Sequence, residues 1–387
     1  MTSSLLPYTE EHHAFRDTVR RFVEREIRPN YVQWERDGQV PRALYTRAGE
    51  LGLLLTGAAP EWGGAGGDFL YAHIVVEELG FAGANGVQFG LHSDIVAPYI
   101  EHFGSAAQKA RWLPAMARGE VISGIAMTEP GAGSDLAGVR TSARRVSDAQ
   151  GEGWLLKGQK IFISNGQIAD LFVVVAKTDA SAGARGVSLF LCEGTRAGFA
   201  RGRNLDKLGM HAQDTSELFF DDVRLPLDAL LGEEGQGFGC LMAELPQERL
   251  LVAITAVAAA EEAVRLAVEY TEQRLAFGKP LSTLQTIRHK LAECATEAAL
   301  GRAFLEQCIA QHLKRELDTT RASMAKYWCT EMQFRVTDAC LQLFGGYGYM
   351  TEYPIARLWA DARVQRIYGG TTEIMKEIIG RSLFKAR

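Results

Sequence analysis

The stretch "IYGGTTEI" places two glycines, Gly369 and Gly370, directly before a predicted helix. Paired glycines at a helix start either make a sharp turn or let main-chain N–H groups approach a ligand closely. Such N–H groups can bind a negatively charged oxygen. Neither glycine supplies an acid or a base, so the loop offers only hydrogen-bond donors to whatever binds there.

A second polar stretch, "AMTEPGAGSD" (126–135), lies where a helical region gives way to predicted strands. Taken alone, it could be only a turn with Pro130 and Gly131 at its corner. This cluster and two further glycine-rich clusters do not lie between a parallel strand and its helix, so they do not predict a Rossmann dinucleotide site. Ser134 is not in a GxSxG motif, which argues against a serine hydrolase.

Charge and composition argue against several function classes. The formal net charge of −5 gives no electrostatic footprint for nucleic acid. The eight histidines show neither HxxxH nor HExxH spacing and the six cysteines form no CxxC pair, so we expect no metal site and reduced thiols. The longest apolar stretch (250–260) is too short to span a bilayer, and the N-terminus resembles neither a signal peptide nor a transit peptide. We therefore expect a cytoplasmic protein without a membrane span.

Hydrophobic periodicity divides the chain into three regions. Helical patterns dominate to about residue 121 and return from about residue 237, and short β-branched or aromatic runs lie between them. The predicted helices cover 9–28, 41–51, 69–80, 92–117, 237–272, 283–312, 318–344 and 371–384. We expect an α+β multidomain protein with an N-terminal helical domain (1–121), a middle antiparallel β domain (122–233) and a C-terminal four-helix bundle (234–387).

Six motifs, in order along the chain, resemble the signatures of the acyl-CoA dehydrogenase family. They are "AMTEPGAGSD" (126–135), "GQKIFISNG" (158–166), "FFDDVRLP" (219–226), "QRLAFGKPL" (273–281), "LFGGYGYMTEYP" (343–354) and "IYGGTTEI" (367–374). The resemblance implies that the protein binds FAD and oxidises the Cα–Cβ bond of an acyl-CoA thioester to a trans-2-enoyl-CoA. It also implies an electron-transferring flavoprotein as electron acceptor and a homo-oligomer, by family norm a tetramer, with cofactor sites that cross a subunit interface.

The resemblance assigns the cofactor contacts motif by motif. Residues that match contacts to the flavin ring and pyrophosphate are Ile125, Met127, Thr128, Ser134, Phe162, Ile163 and Ser164. Residues that match contacts to the adenine dinucleotide across the interface are Arg274, Phe277, Gln285, Gln342, Gly345 and Gly346. Thr371 and Glu373 are expected to cap the last helix and approach the cofactor. Many relatives have tryptophan where Phe162 stands, so the aromatic face is kept and the indole N–H is lost.

The catalytic base is identified by the same resemblance. Many family members carry a glutamate in a Tyr-Glu-Gly-Thr stretch, and Gly369 occupies that position here. A subgroup, the long-chain and isovaleryl-CoA dehydrogenases, carries it instead on an earlier helix before Arg-Leu, which matches Glu248 in "ELPQERL". A helical glutamate is usually a surface residue, but the gap at Gly369 and the match at Glu248 are complementary. We expect Glu248 to remove the Cα proton, with Glu244 as the runner-up.

The resemblance also assigns substrate contacts. The Gly369 N–H is expected to bind the thioester oxygen together with a flavin ribityl hydroxyl. Positions that match substrate contacts are Ser134, Pro246, Gln247, Arg249, Tyr368 and Gly369. Pro246 is expected to kink its helix beside Glu248, and Arg249 to form a buried ion pair or to touch the substrate. A long-chain straight acyl-CoA is the expected substrate. A branched-chain acyl-CoA dehydrogenase, an acyl-CoA oxidase and a non-catalytic flavin-binding subunit are the alternatives.

Overall fold

The N-terminal part of the chain is helical, as the sequence predicts. The computed structural model describes residues 5–149 and 151–384. Its first helices are α1 (Glu10–Phe22), α2 (Tyr31–Asp37), α3 (Arg42–Glu50), α4 (Phe69–Phe81), α5 (Ala97–Phe103) and α6 (Ala106–Ala117). Two π-helical turns, Val23–Ile27 and Leu91–Val96, follow α1 and precede α5. Such turns are rare and frequently occur at functional sites.

The single helix predicted over 92–117 is wrong, because the chain breaks between α5 and α6. Gly104 is extended, and Ser105 begins a capping box with Gln108. The Ser105 hydroxyl accepts from the Gln108 N–H, and the Gln108 side chain accepts from the Ser105 N–H. These two bonds satisfy N–H groups that the start of a helix leaves free, so α6 begins as a separate helix.

The middle part forms one eight-stranded sheet. Its strands are β1 (Ser123–Ala126), β2 (Ser142–Asp148), β3 (Gly151–Ser164), β4 (Leu171–Lys177), β5 (Val187–Glu193), β6 (Phe199–Asn204), β7 (Thr215–Pro226) and β8 (Leu230–Leu231). The order is β6-β7-β3-β2-β4-β5-β8, with β1 beside β4. Most neighbours are antiparallel as expected, but β1 and β2 both meet β4 in parallel. The β1 segment is only four residues long and contains a glycine, so no strand pattern could reveal this pairing.

The C-terminal part contains the four predicted long helices and one more. These are α7 (Gly237–Gln273), α8 (Gln285–Leu313), α9 (Thr319–Leu343), α10 (Pro354–Gln365) and α11 (Thr372–Phe384). A short hairpin of β9 (Leu275–Ala276) and β10 (Lys279–Pro280) joins α7 to α8. The α7 helix continues through Pro246 without ending. With 37 residues it is about 55 Å long, so it can carry side chains from the sheet to the helical end of the molecule.

Two hydrophobic cores meet along α4 and α7. One joins the N-terminal helices to the sheet and includes Tyr45, Phe89 and Trp154. The other joins α4 to the C-terminal helices and includes Leu70 and Ile254. All six cysteines are buried and free. No helix in the described part of the chain is long and apolar enough to cross a membrane.

Candidate active site

A cavity of about 460 Å³ lies where the two cores meet. Its walls come from α4, the π-helical turn before α5, the loops at one end of the sheet, α7 and the loop before α11. Eleven of the predicted site residues line it, namely Ile125, Met127, Thr128, Ser134, Phe162, Ile163, Ser164, Glu248, Arg249, Tyr368 and Gly369. The structure thus brings together residues that are separated by up to 244 positions in the sequence.

Glu248 is buried in the cavity wall, with 7% of its surface exposed. The Tyr99 hydroxyl on α5 donates to Glu248 Oε1 at 2.8 Å. Burial raises the pKa of Glu248 to about 7, while the Tyr99 hydrogen bond and the Arg249 charge lower it and Glu244 raises it. A carboxyl group with this pKa is ionised in a large fraction of molecules near neutral pH and is basic enough to accept a carbon-bound proton. Tyr99 carries no motif, and sequence analysis missed it.

Tyr99→Phe is expected to move the pH dependence of the flavin reduction implied by the family resemblance upward by about one to two units. A hydrogen bond to a charged group is worth about 1.5–3 kcal/mol, and one pKa unit corresponds to about 1.4 kcal/mol. With the ionised form of Glu248 as the expected base, the rate should rise with pH through about 7 in the wild-type protein. Without the Tyr99 donor the pKa of Glu248 rises, and so does the midpoint. Single-turnover rates from pH 5 to 9 measure the shift.

The control for this experiment is Tyr8→Phe, which removes another part-buried hydroxyl whose partners, His73 and Arg16, lie outside the cavity wall. Its pH profile should match that of the wild-type protein. A Tyr99→Phe profile that also matches the wild type would show that Tyr99 does not set the protonation of Glu248.

Glu244, the runner-up base, points away from the cavity. It is buried, and His102 Nδ1 lies 2.7 Å from Glu244 Oε1. The hydrogen bond that Glu244 accepts raises the pKa of His102, whose side chain is half exposed. Glu244 is therefore engaged in a hydrogen bond with His102 and does not line the cavity.

Arg249 is buried beside Glu248 but forms no ion pair within the described residues, so the expected buried ion pair is absent. One contact is made by Nη1, which lies 3.3 Å from the Ser323 hydroxyl, and Nε has no partner there. Burial lowers the pKa of Arg249 and the charge of Glu248 raises it. Its side chain lines the cavity, which leaves its free N–H groups available to a ligand.

The loop of Gly369 and Gly370 forms the wall of the cavity between α10 and α11. Both glycines are left-handed, with φ of +64° and +93°, a conformation that other residues rarely adopt. The Gly369 N–H has no acceptor in the part of the chain that the structure describes. Lys326 Nζ on α9 donates to the Gly370 carbonyl at 2.6 Å from a fully buried position. Burial and the Arg249 charge lower the pKa of Lys326 to about 8.

The loop that carries Thr128 is fixed by a second buried lysine. Lys160 Nζ donates to the Met127 carbonyl at 2.9 Å and to Glu129 Oε1 at 2.8 Å. The Glu129 carboxylate also accepts two main-chain N–H groups, from Arg140 and Thr141. Burial lowers the pKa of Lys160 to about 8. This ion pair holds both ends of the 128–140 loop against the sheet.

Phe162 owes its position to an irregularity in β3. Between the pairs Lys160–Leu218 and Ile163–Ser216, β3 has one residue more than β7, which is the arrangement of a β-bulge. Phe162 is left-handed at φ +61° and its ring is 64% exposed on the cavity wall. An exposed aromatic face next to hydroxyl groups suits a flat, partly polar ligand.

A separate cleft near the C-terminal end of α7 contains three of the predicted dinucleotide contacts, Arg274, Gly345 and Gly346. The Arg274 guanidinium lies over the Tyr347 ring at 5.5 Å. Phe277 is 97% exposed at the tip of the β9–β10 hairpin. Gln285 and Gln342 are also exposed, so the contacts expected of Phe277, Gln285 and Gln342 across a subunit interface remain predictions.

The remaining predicted residues lie beside the cavity and do not line it. Thr371 caps α11, since its hydroxyl accepts from the Ile374 N–H, and it also bonds the side chain of Glu373. Pro246 is half-buried on α7. The Gln247 side chain turns away to the Asp94 carbonyl at 2.7 Å. A direct substrate contact by the Gln247 side chain is therefore not present in this geometry.

Family models match almost the whole chain. The N-terminal, middle and C-terminal domains of acyl-CoA dehydrogenase match residues 9–120, 124–223 and 235–384. The chain belongs to the acyl-CoA dehydrogenase family. It is 50% identical to the mitochondrial long-chain specific acyl-CoA dehydrogenase of Mus musculus over 378 residues, 97% of this chain and 87% of that protein.

Solved structures of acyl-CoA dehydrogenases share the fold. The acyl-CoA dehydrogenase of Geobacillus kaustophilus superposes with a TM-score of 0.95 at 49% identity, covering 99% of this chain and all of that one. A glutaryl-CoA dehydrogenase from Mycobacterium smegmatis, solved in complex with FADH2, gives a TM-score of 0.89 at 30% identity over 97% of this chain and 95% of that one.

FAD is the cofactor of this family, and the residues present fit it. The exposed Phe162 ring offers a face to a flat ring system, and Thr128 and Ser164 place hydroxyl groups on the same wall. In the second cleft, Arg274 offers a guanidinium that suits a pyrophosphate, and the positions of Gly345 and Gly346 leave open space. The cavity and the cleft therefore match the two ends of a dinucleotide.

Proposed function

We propose that this acyl-CoA dehydrogenase oxidises long-chain straight acyl-CoA thioesters to trans-2-enoyl-CoA with Glu248 as base. The observation that carries the proposal is the buried Glu248 carboxyl in the same cavity as the free N–H of Gly369. Asp135 is the other acidic residue along the described cavity wall, and it is exposed. Gly369 itself has no side chain, so the base and the oxygen-binding donor come from different elements.

The chain's own residues divide the chemistry between them. The Glu248 carboxylate accepts the proton from Cα, and Tyr99 holds that carboxylate in place. The Gly369 N–H donates to the thioester oxygen, which stabilises the negative charge that develops there. Lys326 donates to the Gly370 carbonyl, two peptide units beyond that N–H, and so anchors the loop that presents it. When bound, FAD supplies the acceptor for the hydride that leaves Cβ.

The apolar end of the cavity supports a long chain as substrate. It lies between α4, the π-helical turn and α7, and its apolar lining is Val76, Leu79, Leu91, Ile95, Leu251 and Val252. The long-chain specific relative is the more similar of the two mouse enzymes compared, at 50% identity against 37% for the short-chain specific one. We extend the proposal to a homotetramer that passes electrons to an electron-transferring flavoprotein, by analogy with the family.

The test is the visible spectrum of the purified protein before and after anaerobic addition of straight acyl-CoAs from C4 to C18. We expect bound flavin, bleaching by every chain of about C10 or longer, and slow bleaching by the shortest chains. Branched acyl-CoAs should bleach the flavin more slowly than straight ones. No bleaching by any chain would indicate a non-catalytic flavin-binding subunit.

The electron acceptor needs a separate measurement. Stopped-flow mixing of the reduced, product-bound protein with air-saturated buffer should give slow reoxidation, and an electron-transferring flavoprotein should give fast reoxidation. Fast reoxidation by oxygen would identify an acyl-CoA oxidase instead.

A further inference from the structure

Two neighbouring hydrogen bonds join α5 to α7 beside the cavity. On α5, Tyr99 and His102 lie three residues apart, and on α7, Glu244 and Glu248 lie four residues apart, spacings that put both members of each pair on one helix face. The Tyr99 hydroxyl donates to Glu248 Oε1 at 2.8 Å. His102 Nδ1 lies 2.7 Å from Glu244 Oε1. One of the two hydrogen bonds therefore ends on the proposed base, and the other ends on the carboxyl group one helical turn before it.

The two carboxyl groups are close enough to affect each other's charge. Side chains four residues apart on a helix have Cβ atoms about 5–6 Å apart, and Glu244 and Glu248 are each 7% exposed. In a site with so little solvent, an unbalanced negative charge on Glu244 disfavours the ionised form of Glu248. Burial raises the pKa of Glu248, and the Glu244 charge raises it further. A base that must be ionised near neutral pH therefore benefits from a cation on Glu244.

His102 is the residue that can supply this positive charge. Its side chain is half exposed, and the hydrogen bond with Glu244 raises its pKa although burial opposes the shift. Of the other charged groups that face it, Glu101 on α5 raises the pKa of His102 and Lys109 on α6 lowers it. Protonated His102 thus places a positive charge on Glu244 and can still exchange its proton with solvent.

The other titratable groups that act on Glu244 in the described part of the chain are neutral near pH 7. Burial lowers the pKa of His312 on α8, although the Glu244 charge raises it. Burial raises the pKa of Cys240 on α7 and of Tyr99 on α5, and the Glu244 charge adds to both shifts. A neutral imidazole, thiol or phenol does not balance a carboxylate. The balance of charge at Glu244 therefore depends on His102.

We propose that His102 is a positioning residue for the dehydrogenation, which acts through Glu244 and keeps Glu248 available as an ionised base. This inference rests on the proposed function of Glu248. Protonated His102 neutralises Glu244, and the same hydrogen bond keeps α5 in the register that places the Tyr99 hydroxyl on Glu248. Neither His102 nor Glu244 is part of the described cavity wall, so substitutions at these positions leave that wall unchanged.

The test measures the rate of anaerobic flavin reduction from pH 5 to 9, with the flavin-loaded protein and the straight acyl-CoA that bleaches it fastest. His102→Gln keeps a hydrogen-bond donor for Glu244 but removes the charge, so the midpoint of the profile should rise by about one unit. Such a shift lowers the rate at pH 7 about fivefold and leaves the rate at pH 9 nearly unchanged. His102→Lys, which retains a cation at this half-exposed position, should keep the midpoint at or below the wild-type value.

Glu244→Gln separates an electrostatic role from a purely structural one. It removes the repelling charge itself, so the midpoint should fall, and adding His102→Gln to this variant should not raise it again. If the His102–Glu244 contact only held the helices together, both single substitutions would slow the reaction at every pH and move the midpoint in the same direction or not at all.

The matched control is His12→Gln, which removes the imidazole of another histidine–carboxylate pair, with Asp68, outside the cavity wall. Glutamine also suits the capping box that His12 completes at the start of α1, and the profile should match that of the wild-type protein.

Three results would overturn the role of His102 and leave Glu248 as the base: a wild-type midpoint in His102→Gln, an equal rise in His102→Lys, or a rise that persists when Glu244→Gln is added. Near-normal flavin reduction by Glu248→Gln would overturn the proposed base and this inference with it.

Discussion

Glu248→Gln is expected to slow flavin reduction by bound acyl-CoA about 10³-fold, with flavin content and acyl-CoA affinity unchanged. Proton transfer by a positioned side chain contributes about 10²–10⁴ in rate, and glutamine fills the same space without a basic oxygen. The Tyr99 hydroxyl can still donate to the amide oxygen, so the local packing should persist. Stopped-flow reduction under anaerobic conditions gives the rate, and titration of the flavin spectrum with a substrate analogue gives the affinity.

The thermal stability of Glu248→Gln shows whether the substitution disturbs folding. The pKa of Glu248 is raised in the folded protein, so the ionised carboxyl favours the unfolded state. The stability that the protonated group contributes is fully present at pH values below its unfolded pKa and is lost as pH rises through about 7. Glu248→Gln should therefore melt no lower than the wild-type protein at pH 8. A stable variant with near-normal flavin reduction would show that another group is the base.

Lys326→Met is expected to reduce the same rate constant by about 10²-fold, close to the cost of losing one oxyanion donor. Methionine keeps the length and apolar stem of lysine, but the Gly370 carbonyl loses its buried donor. The loop that presents the Gly369 N–H to the thioester oxygen then loses one of its anchors. A change in folding alone would not alter how the bound ligand is polarised. We expect the C=O stretching frequency of bound enoyl-CoA, read by Raman spectroscopy, to move towards the value in solution.

The control for Lys326→Met is Lys290→Met, an exposed lysine on α8 that pairs with Glu293. It should change neither the rate nor the carbonyl frequency. An unchanged carbonyl frequency in Lys326→Met, together with a normal rate, would show that the Gly370 contact does not position the loop.

The fold was largely predictable because its elements carry local signals. The long helices of the C-terminal part follow from apolar periodicity, and the strands β3, β4, β5 and β7 from runs of β-branched and aromatic residues. The break at Gly104 was missed because periodicity ignores caps, although the Ser105–Gln108 pair was visible. The parallel partner of β4 was missed because pairing depends on the whole sheet, and four residues of β1 carry no pattern.

Some residues of the site could likewise be predicted from the sequence, and others could not. Glu248 and the Gly369 loop could be predicted because their motifs are contiguous. Tyr99 and Lys326 could not, because their roles depend on contacts made across the fold. An isolated lysine in a helix is usually exposed, and only the hydrogen bonds of Tyr99 to Glu248 and of Lys326 to the Gly370 carbonyl show that these two residues support the cavity wall.

The left-handed backbone of Gly369 bears on how the position of the base can change during evolution. With φ at +64°, a side chain at this position costs about 1–2 kcal/mol, although the space there is open, with Val252 3.7 Å from a Cβ. An ancestor with glutamate at this position could lose it once α7 supplied a carboxylate, and the loop could then relax into the conformation that only glycine favours. The reverse change, from Gly369 to glutamate, would begin with a side chain on a left-handed backbone and therefore with a strained loop. Under the role proposed for Glu248, a transfer of the base to α7 is therefore easier to make than to undo.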